Sequence, residues 1–244
     1  MHRFTIVLAM IGGLSGAAPT AFADDGRPIE IEAVDGFKLA ASYYDPGKPG
    51  PAVLLLHQCN SDRTMWNGIA SALADSGHHV LTLDYRGYGD SARGAANIEK
   101  ANQDQRRKMQ SMARSDLEEV FEHLLALDGV DGARVATGGA SCGGPRSIQL
   151  AIGKSGIRTM VFLSTFVGDQ VLNSFEQLND LPILAITAES DGRTTSSLRK
   201  LFTASESRKS RLIIYKGDTH GYPLFEQDRR LERTIVNWYR DHLR

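Results

Sequence analysis

Val135-Ala136-Thr137-Gly138-Gly139-Ala140-Ser141-Cys142-Gly143-Gly144-Pro145 is the stretch whose reading decides the fold. Val135 to Thr137 is a short apolar strand, and a helix is expected over Arg146–Ile152. Between them lies Gly-x-Ser-x-Gly. Glycines on both flanks let the chain turn sharply without Cβ clashes, so the serine is held in a strained backbone at the tip of a sheet. Its hydroxyl then lies at a helix N-terminus, where unpaired N–H groups favour developing negative charge. Pro145 falls in the first helical turn, where a missing N–H costs little. A similar run nearer the start of the chain, Gly13-Leu14-Ser15-Gly16, lacks the last glycine and has no strand before it.

Working outward, short apolar runs alternate with helical periodicity. Strands are expected at Ala52–Leu56, Val80–Leu83, Arg134–Thr137, Thr159–Leu163, Ile183–Thr187 and Leu212–Tyr215. Helices are expected over Thr64–Ser76, Asp116–Leu127, Thr195–Thr203 and Leu224–His242. Fully apolar strands between helices indicate a parallel sheet covered on both faces. Ahead of them, Ile29–Val34 and Phe37–Tyr44 alternate apolar and polar around Asp35-Gly36, the pattern of an antiparallel hairpin. The expectation is an α/β fold with a mostly parallel eight-stranded sheet, an N-terminal antiparallel hairpin and helices on both faces. Residues 92–112 break the rhythm. They are polar and charged, too long for an ordinary connection, and are read as an insertion, either a solvated surface helix or a lid.

A nucleophilic serine needs a base, and the base an orienting group. His220 follows the last strand in Gly217-Asp218-Thr219-His220-Gly221, and Asp191 follows another in Glu189-Ser190-Asp191-Gly192. In a parallel sheet those loops open on the same edge as the serine turn, where ligands bind. Ser141, Asp191 and His220 are therefore the candidate catalytic residues, with Glu189 as the alternative orienter. His57 ends a strand on the same edge, whereas His78, His79, His123 and His242 read as surface or packing residues.

These segments together resemble the α/β-hydrolase superfamily along essentially the whole chain after residue 23. Leu56-His57-Gln58-Cys59 is similar to its His-Gly-x oxyanion loop, and Asp84-Tyr85-Arg86-Gly87-Tyr88-Gly89-Asp90-Ser91 to its Asp-x-Arg-Gly-x-Gly-x-Ser segment. The order Ser, Asp, His is the one that fold uses. The short connection Ser164–Leu181 leaves no room for a large helical cap, which looks most like the compact esterase and dienelactone-hydrolase-like members. Two positions depart from the pattern. Gln58 stands where glycine is usual, and the nucleophile is serine where dienelactone hydrolases proper have cysteine. The resemblance implies that the Cys59 and Cys142 amides form the oxyanion hole and that His57 braces the loop. Both cysteines of the chain thus fall on oxyanion positions, as small hydrophobes, as a bridge that fixes the hole, or as an oxidation-sensing pair. Gln58, Trp66, Tyr88 and Tyr222, with Met65 and Phe166 near them, are expected to line the substrate pocket.

Bulk properties narrow the function classes. The chain has 244 residues, 41% hydrophobic, with a formal charge of -1. That suits one well-cored domain, 24–244, and offers no electrostatic case for nucleic acid or anionic membrane as partner. Residues 1–23 read as a secretory signal peptide: an apolar run from Phe4 to Ala18, then Ala21-Phe22-Ala23 before Asp24. The run is too short for a membrane span, so a periplasmic or extracellular location is expected. No Cys/His spacing resembles a zinc site, and neither a metal nor a cofactor is implied. The expected activity is a serine hydrolase acting on a small-molecule acyl substrate through an acyl-enzyme. A peptidase or thioesterase on the same residues, or a non-catalytic binding protein on this scaffold, are the competing readings. A redox protein lacks any Cys-x-x-Cys spacing.

Overall fold

The computed structural model describes residues 26–244, so the segment read as a signal peptide lies outside the described residues. Eight strands form one sheet: β1 (Arg27–Glu32), β2 (Lys38–Tyr44), β3 (Gly50–Leu56), β4 (His79–Leu83), β5 (Val130–Ala140), β6 (Ile157–Leu163), β7 (Ile183–Ala188) and β8 (Arg211–Tyr215). Their order is β1-β2-β4-β3-β5-β6-β7-β8. β1 and β2 pair antiparallel, and β2 joins β4 antiparallel. From β4 to β8 every pairing is parallel. The expected mixed sheet is therefore the observed one.

Because side chains alternate along a strand, one sheet builds two cores. Leu54 and Leu56 of β3 face one layer, where Leu117, Val120, Phe121 and Leu124 of α2 (Gln103–Leu125) pack with Ile148 of α3 (Gly143–Ala151). Phe175 of α4 (Asp169–Phe175) and Leu198 and Leu201 of α5 (Gly192–Ala204) complete that layer. Val53 and Leu55 face the other, filled by Ile69 and Leu73 of α1 (Asn67–Asp75), Leu224 of α6 (Pro223–Gln227), and Ile235 and Tyr239 of α7 (Leu231–His242). Every side chain named in these two layers is buried.

Three expectations on secondary structure need correction. The polar stretch 92–112 is not wholly an insertion: from Gln103 onward it is the N-terminal half of α2, whose C-terminal half carries the apolar stripe. Its start is a capping box, with Asn102 accepting from the Gln105 amide at 2.9 Å and Gln105 accepting from the Asn102 amide at 2.8 Å. Arg86 holds the helix down, forking onto Asp116 at 2.7 and 2.9 Å and onto Asp35 of the β1–β2 turn at 2.9 Å. The final helix is broken at Asp228, whose backbone is extended (φ -136°, ψ 99°) and whose carboxylate accepts from Arg230 and Tyr215. The Thr64–Ser76 helix begins as a 3₁₀ turn over Arg63–Trp66, with Asp62 accepting from the Thr64 amide at 2.9 Å.

Candidate active site

β5 delivers Ser141 to the C-terminal edge of the sheet and α3 begins immediately after it. Ser141 has φ +49°, a left-handed conformation that non-glycine residues adopt only when the surroundings impose it. The surroundings are tight. A Cβ at Gly139 would stand 2.3 Å from the Gly143 carbonyl, and one at Gly144 would stand 2.2 Å from Thr165. The Ser141 amide donates to the Leu163 carbonyl at 2.8 Å, locking the turn to β6.

Loops from two other strands converge on the serine hydroxyl. Asp191 follows β7 and is buried, while His220 follows β8 and is half-exposed. His220 Nε2 is 3.0 Å from Ser141 Oγ, and His220 Nδ1 is 2.8 Å from Asp191 Oδ1. With Nδ1 bearing the proton, donated to the carboxylate, Nε2 is left as an acceptor for the serine proton. The other acidic candidate, Glu189, instead accepts from the Gly217 amide at 3.3 Å and braces the His220 loop.

The third wall is the loop after β3. Cys59 and Cys142 are joined by a disulfide, with their Cα atoms 5.8 Å apart. Among the described residues neither the Cys59 nor the Cys142 amide donates to a protein acceptor, so two N–H groups remain available beside Ser141. His57 is fully buried, donates from Nδ1 to the Gln58 carbonyl at 2.7 Å and accepts the Tyr85 amide at Nε2, 3.2 Å away. Burial lowers its pKa to about 4, so it stays neutral. Its carbonyl accepts from the Tyr85 hydroxyl at 2.9 Å. Both ring nitrogens are thus engaged in holding the loop.

Three residues expected at the substrate pocket do other work. Gln58 is buried, and its amide is already engaged: Oε1 accepts from the Tyr222 backbone at 2.9 Å and Nε2 donates to Asn60 at 2.8 Å. It ties the loop of the candidate oxyanion hole to the His220 loop. Trp66 is 1% exposed, its ring 6.1 Å from Phe225 in the core under α1. The 3₁₀ turn sends this large apolar side chain inward, where its burial contributes most. Met65 is buried too, its sulfur accepting from the Gln58 amide at 3.4 Å. Tyr88 borders a cavity with Cys59. Phe166 and Tyr222, 42% and 40% exposed, are two of the three exposed large hydrophobic side chains among the described residues. Arg146 was not anticipated. It stands five positions after Ser141, with Nη1 3.5 Å from Cys142 Sγ and 3.8 Å from Cys59 Sγ. A helix position one turn beyond Cys142 was the signal for it. No three His, Cys, Asp or Glu side chains gather as a metal site among the described residues.

The fold has known counterparts. The family model of the alpha/beta hydrolase fold matches residues 51–237, most of the chain. The chain belongs to the α/β-hydrolase fold family. Within it, an uncharacterised protein of Mycobacterium tuberculosis is 27% identical over 220 residues, covering 81% of this chain and 73% of that one. Epoxide hydrolase A of the same organism is 41% identical over 69 residues, 28% of this chain and 21% of the relative. Among solved structures, an esterase of Pyrococcus furiosus superposes with a TM-score of 0.70 at 15% identity, covering 95% of this chain and 98% of that one. A dienelactone hydrolase of Anabaena variabilis gives a TM-score of 0.66 at 18% identity, covering 89% and 100%. At such identities the structures testify to the α/β-hydrolase fold alone.

Proposed function

We propose that this α/β-hydrolase-fold protein is a serine hydrolase that cleaves an ester or related acyl bond through a covalent acyl-enzyme. One observation carries the reading: the unbroken relay from Asp191 through His220 to a strained Ser141, at 2.8 and 3.0 Å. His220 takes the proton from Ser141 Oγ as that oxygen attacks the carbonyl carbon, and Asp191 steadies the imidazolium that forms. The oxyanion accepts from the Cys59 and Cys142 amides, a contribution of roughly 3 kcal/mol per donor. The tetrahedral adduct collapses as His220 protonates the leaving alcohol, and water, deprotonated by His220, then releases the acid.

The disulfide supports an exported form, since such bonds persist in oxidising compartments. The esterase among the solved structures of like fold favours esters as the first substrates to try. Steady-state hydrolysis of p-nitrophenyl butyrate is the test. Ser141→Ala is expected to lose at least about 1,000-fold in kcat while its circular dichroism and melting curve stay native. Full turnover in that variant, or no labelling of the native protein by a fluorophosphonate, overturns the reading.

A further inference from the structure

Behind the disulfide lies a cavity of about 600 Å³, lined by Cys142, Arg146, Gln149, Gln110, Arg114 and Gln170 among others. The helices around it are α2, α3 and α4. Its charged lining is Arg114 and Arg146, with no acidic side chain facing them across the cavity. Arg114 is answered on its own helix by Glu118, at 3.0 Å. Arg146 is different. Its guanidinium lies 4.0 Å over the Tyr85 ring and beside the two disulfide sulfurs, and no carboxylate pairs with it among the described residues. Sulfur is a weak acceptor and the Tyr85 hydroxyl, which also meets the guanidinium, is neutral, so the positive charge and the remaining donors are left for the cavity.

Elsewhere in this fold the arginines drawn in from the surface are matched. Arg63 meets Asp84 and Asp90, and Arg86 meets Asp35 and Asp116. A half-buried guanidinium with no counter-ion, held 3.5 Å from the sulfur of the cysteine that follows Ser141, is a recognition group for an anion. Resting on the serine-hydrolase reading, we infer that the natural substrate is an ester bearing an anionic group, a carboxylate or a phosphate. The scissile carbonyl sits over Ser141 and the anion is held by Arg146 behind the Cys59–Cys142 bridge. Gln149 and Gln170, contributed by α3 and α4, supply further neutral donors. The acyl bond is cleaved as before, and the anionic group takes no part in bond making.

The test compares p-nitrophenyl butyrate with the mono-p-nitrophenyl ester of glutaric acid, which puts a carboxylate in the acyl chain, and with acetylated glycerol phosphate, which puts a phosphate in the leaving alcohol. The readout is selectivity, the ratio of kcat/KM on the charged ester to that on the neutral one. The native protein is expected to favour one charged ester by about tenfold or more, the scale of a single charge-assisted hydrogen bond. Arg146→Met is expected to abolish that ratio, Arg146→Lys to keep part of it, and added salt to lower it. A merely structural arginine would change both kinds of ester alike. A native ratio at or below one for both charged esters, or an unchanged ratio in Arg146→Met, overturns the inference. Should none of the three esters be cleaved and the native protein take no fluorophosphonate label, the hydrolase reading fails first. Calorimetric titration of Ser141→Ala with glutarate and with inorganic phosphate then decides the anion site alone: binding lost in the Ser141→Ala/Arg146→Met double variant sustains it, and no binding sinks it.

Discussion

Removing the Cys59–Cys142 bridge is the perturbation with the most to say about how the site is held together. The cysteines are separated by 83 positions. Closing a loop of that size removes about 15 cal/mol/K from the unfolded chain, or about 4.5 kcal/mol at 25 °C in the chain-entropy picture. A domain of this length shifts its melting temperature by about 2–4 °C per kcal/mol, so Cys59→Ala/Cys142→Ala is expected to melt about 9–18 °C lower. The bridged residues also carry the two amides assigned to the oxyanion. Freeing their loops from each other should lower kcat by about tenfold or more and leave KM comparatively unmoved, because misplaced donors weaken the transition state more than the ground state. Urea unfolding of native, phosphine-reduced and double-alanine protein measures the first effect, and p-nitrophenyl butyrate kinetics the second. Unfolding free energies within about 1 kcal/mol of native, together with kcat within twofold, would refute the reasoning.

Other consequences are equally concrete. His57 is held neutral by burial with a pKa of about 4, below that of the unfolded chain. Its stabilisation is therefore full above about pH 6.5 and is lost as pH falls toward 4, on the order of 3 kcal/mol, which urea titrations from pH 7.5 to 4.5 should trace and His57→Gln should flatten. Asp116→Ala leaves Arg86 half-matched under α2 and is expected to cost about 3 kcal/mol in the same assay, as breaking a buried ion pair does. A Cβ on Gly221 would stand 2.0 Å from Gln58 Oε1, at a residue with φ +68°. Gly221→Ala should therefore cut activity sharply, and adding Gln58→Ala should restore part of it by removing the clash but not the backbone strain; no restoration would show that Gln58 does not set the His220 loop.

The parts of this molecule that were legible in its sequence are those governed by local periodicity. Val53, Leu54 and Leu55 are apolar in succession because β3 is covered on both faces, and that reads directly as a parallel strand. Ser141, Asp191 and His220 were legible because each follows a strand, and strand ends share an edge. The N-terminal half of α2 was not, since nothing from Gln103 to Lys108 faces a core; the capping pair Asn102 and Gln105 was the available clue. The direction a side chain takes at a helix start was also hidden. Trp66 turns inward because its stretch is 3₁₀, and Gln58 is occupied by a backbone amide 164 positions away. Pairing over that distance leaves no mark on local pattern.

α2 has a bearing on how such proteins diverge. Its C-terminal half is anchored through Leu117, Val120, Phe121 and Leu124, while Gln110 and Arg114 border the cavity behind the disulfide. Anchoring and bordering are thus carried by different turns of one rod. Apart from the buried Met109, mutations can accumulate over residues 103–114 without opening a hole beneath the sheet, so this half-helix is free to be rewritten as the ligand changes while the Ser141 edge is inherited intact.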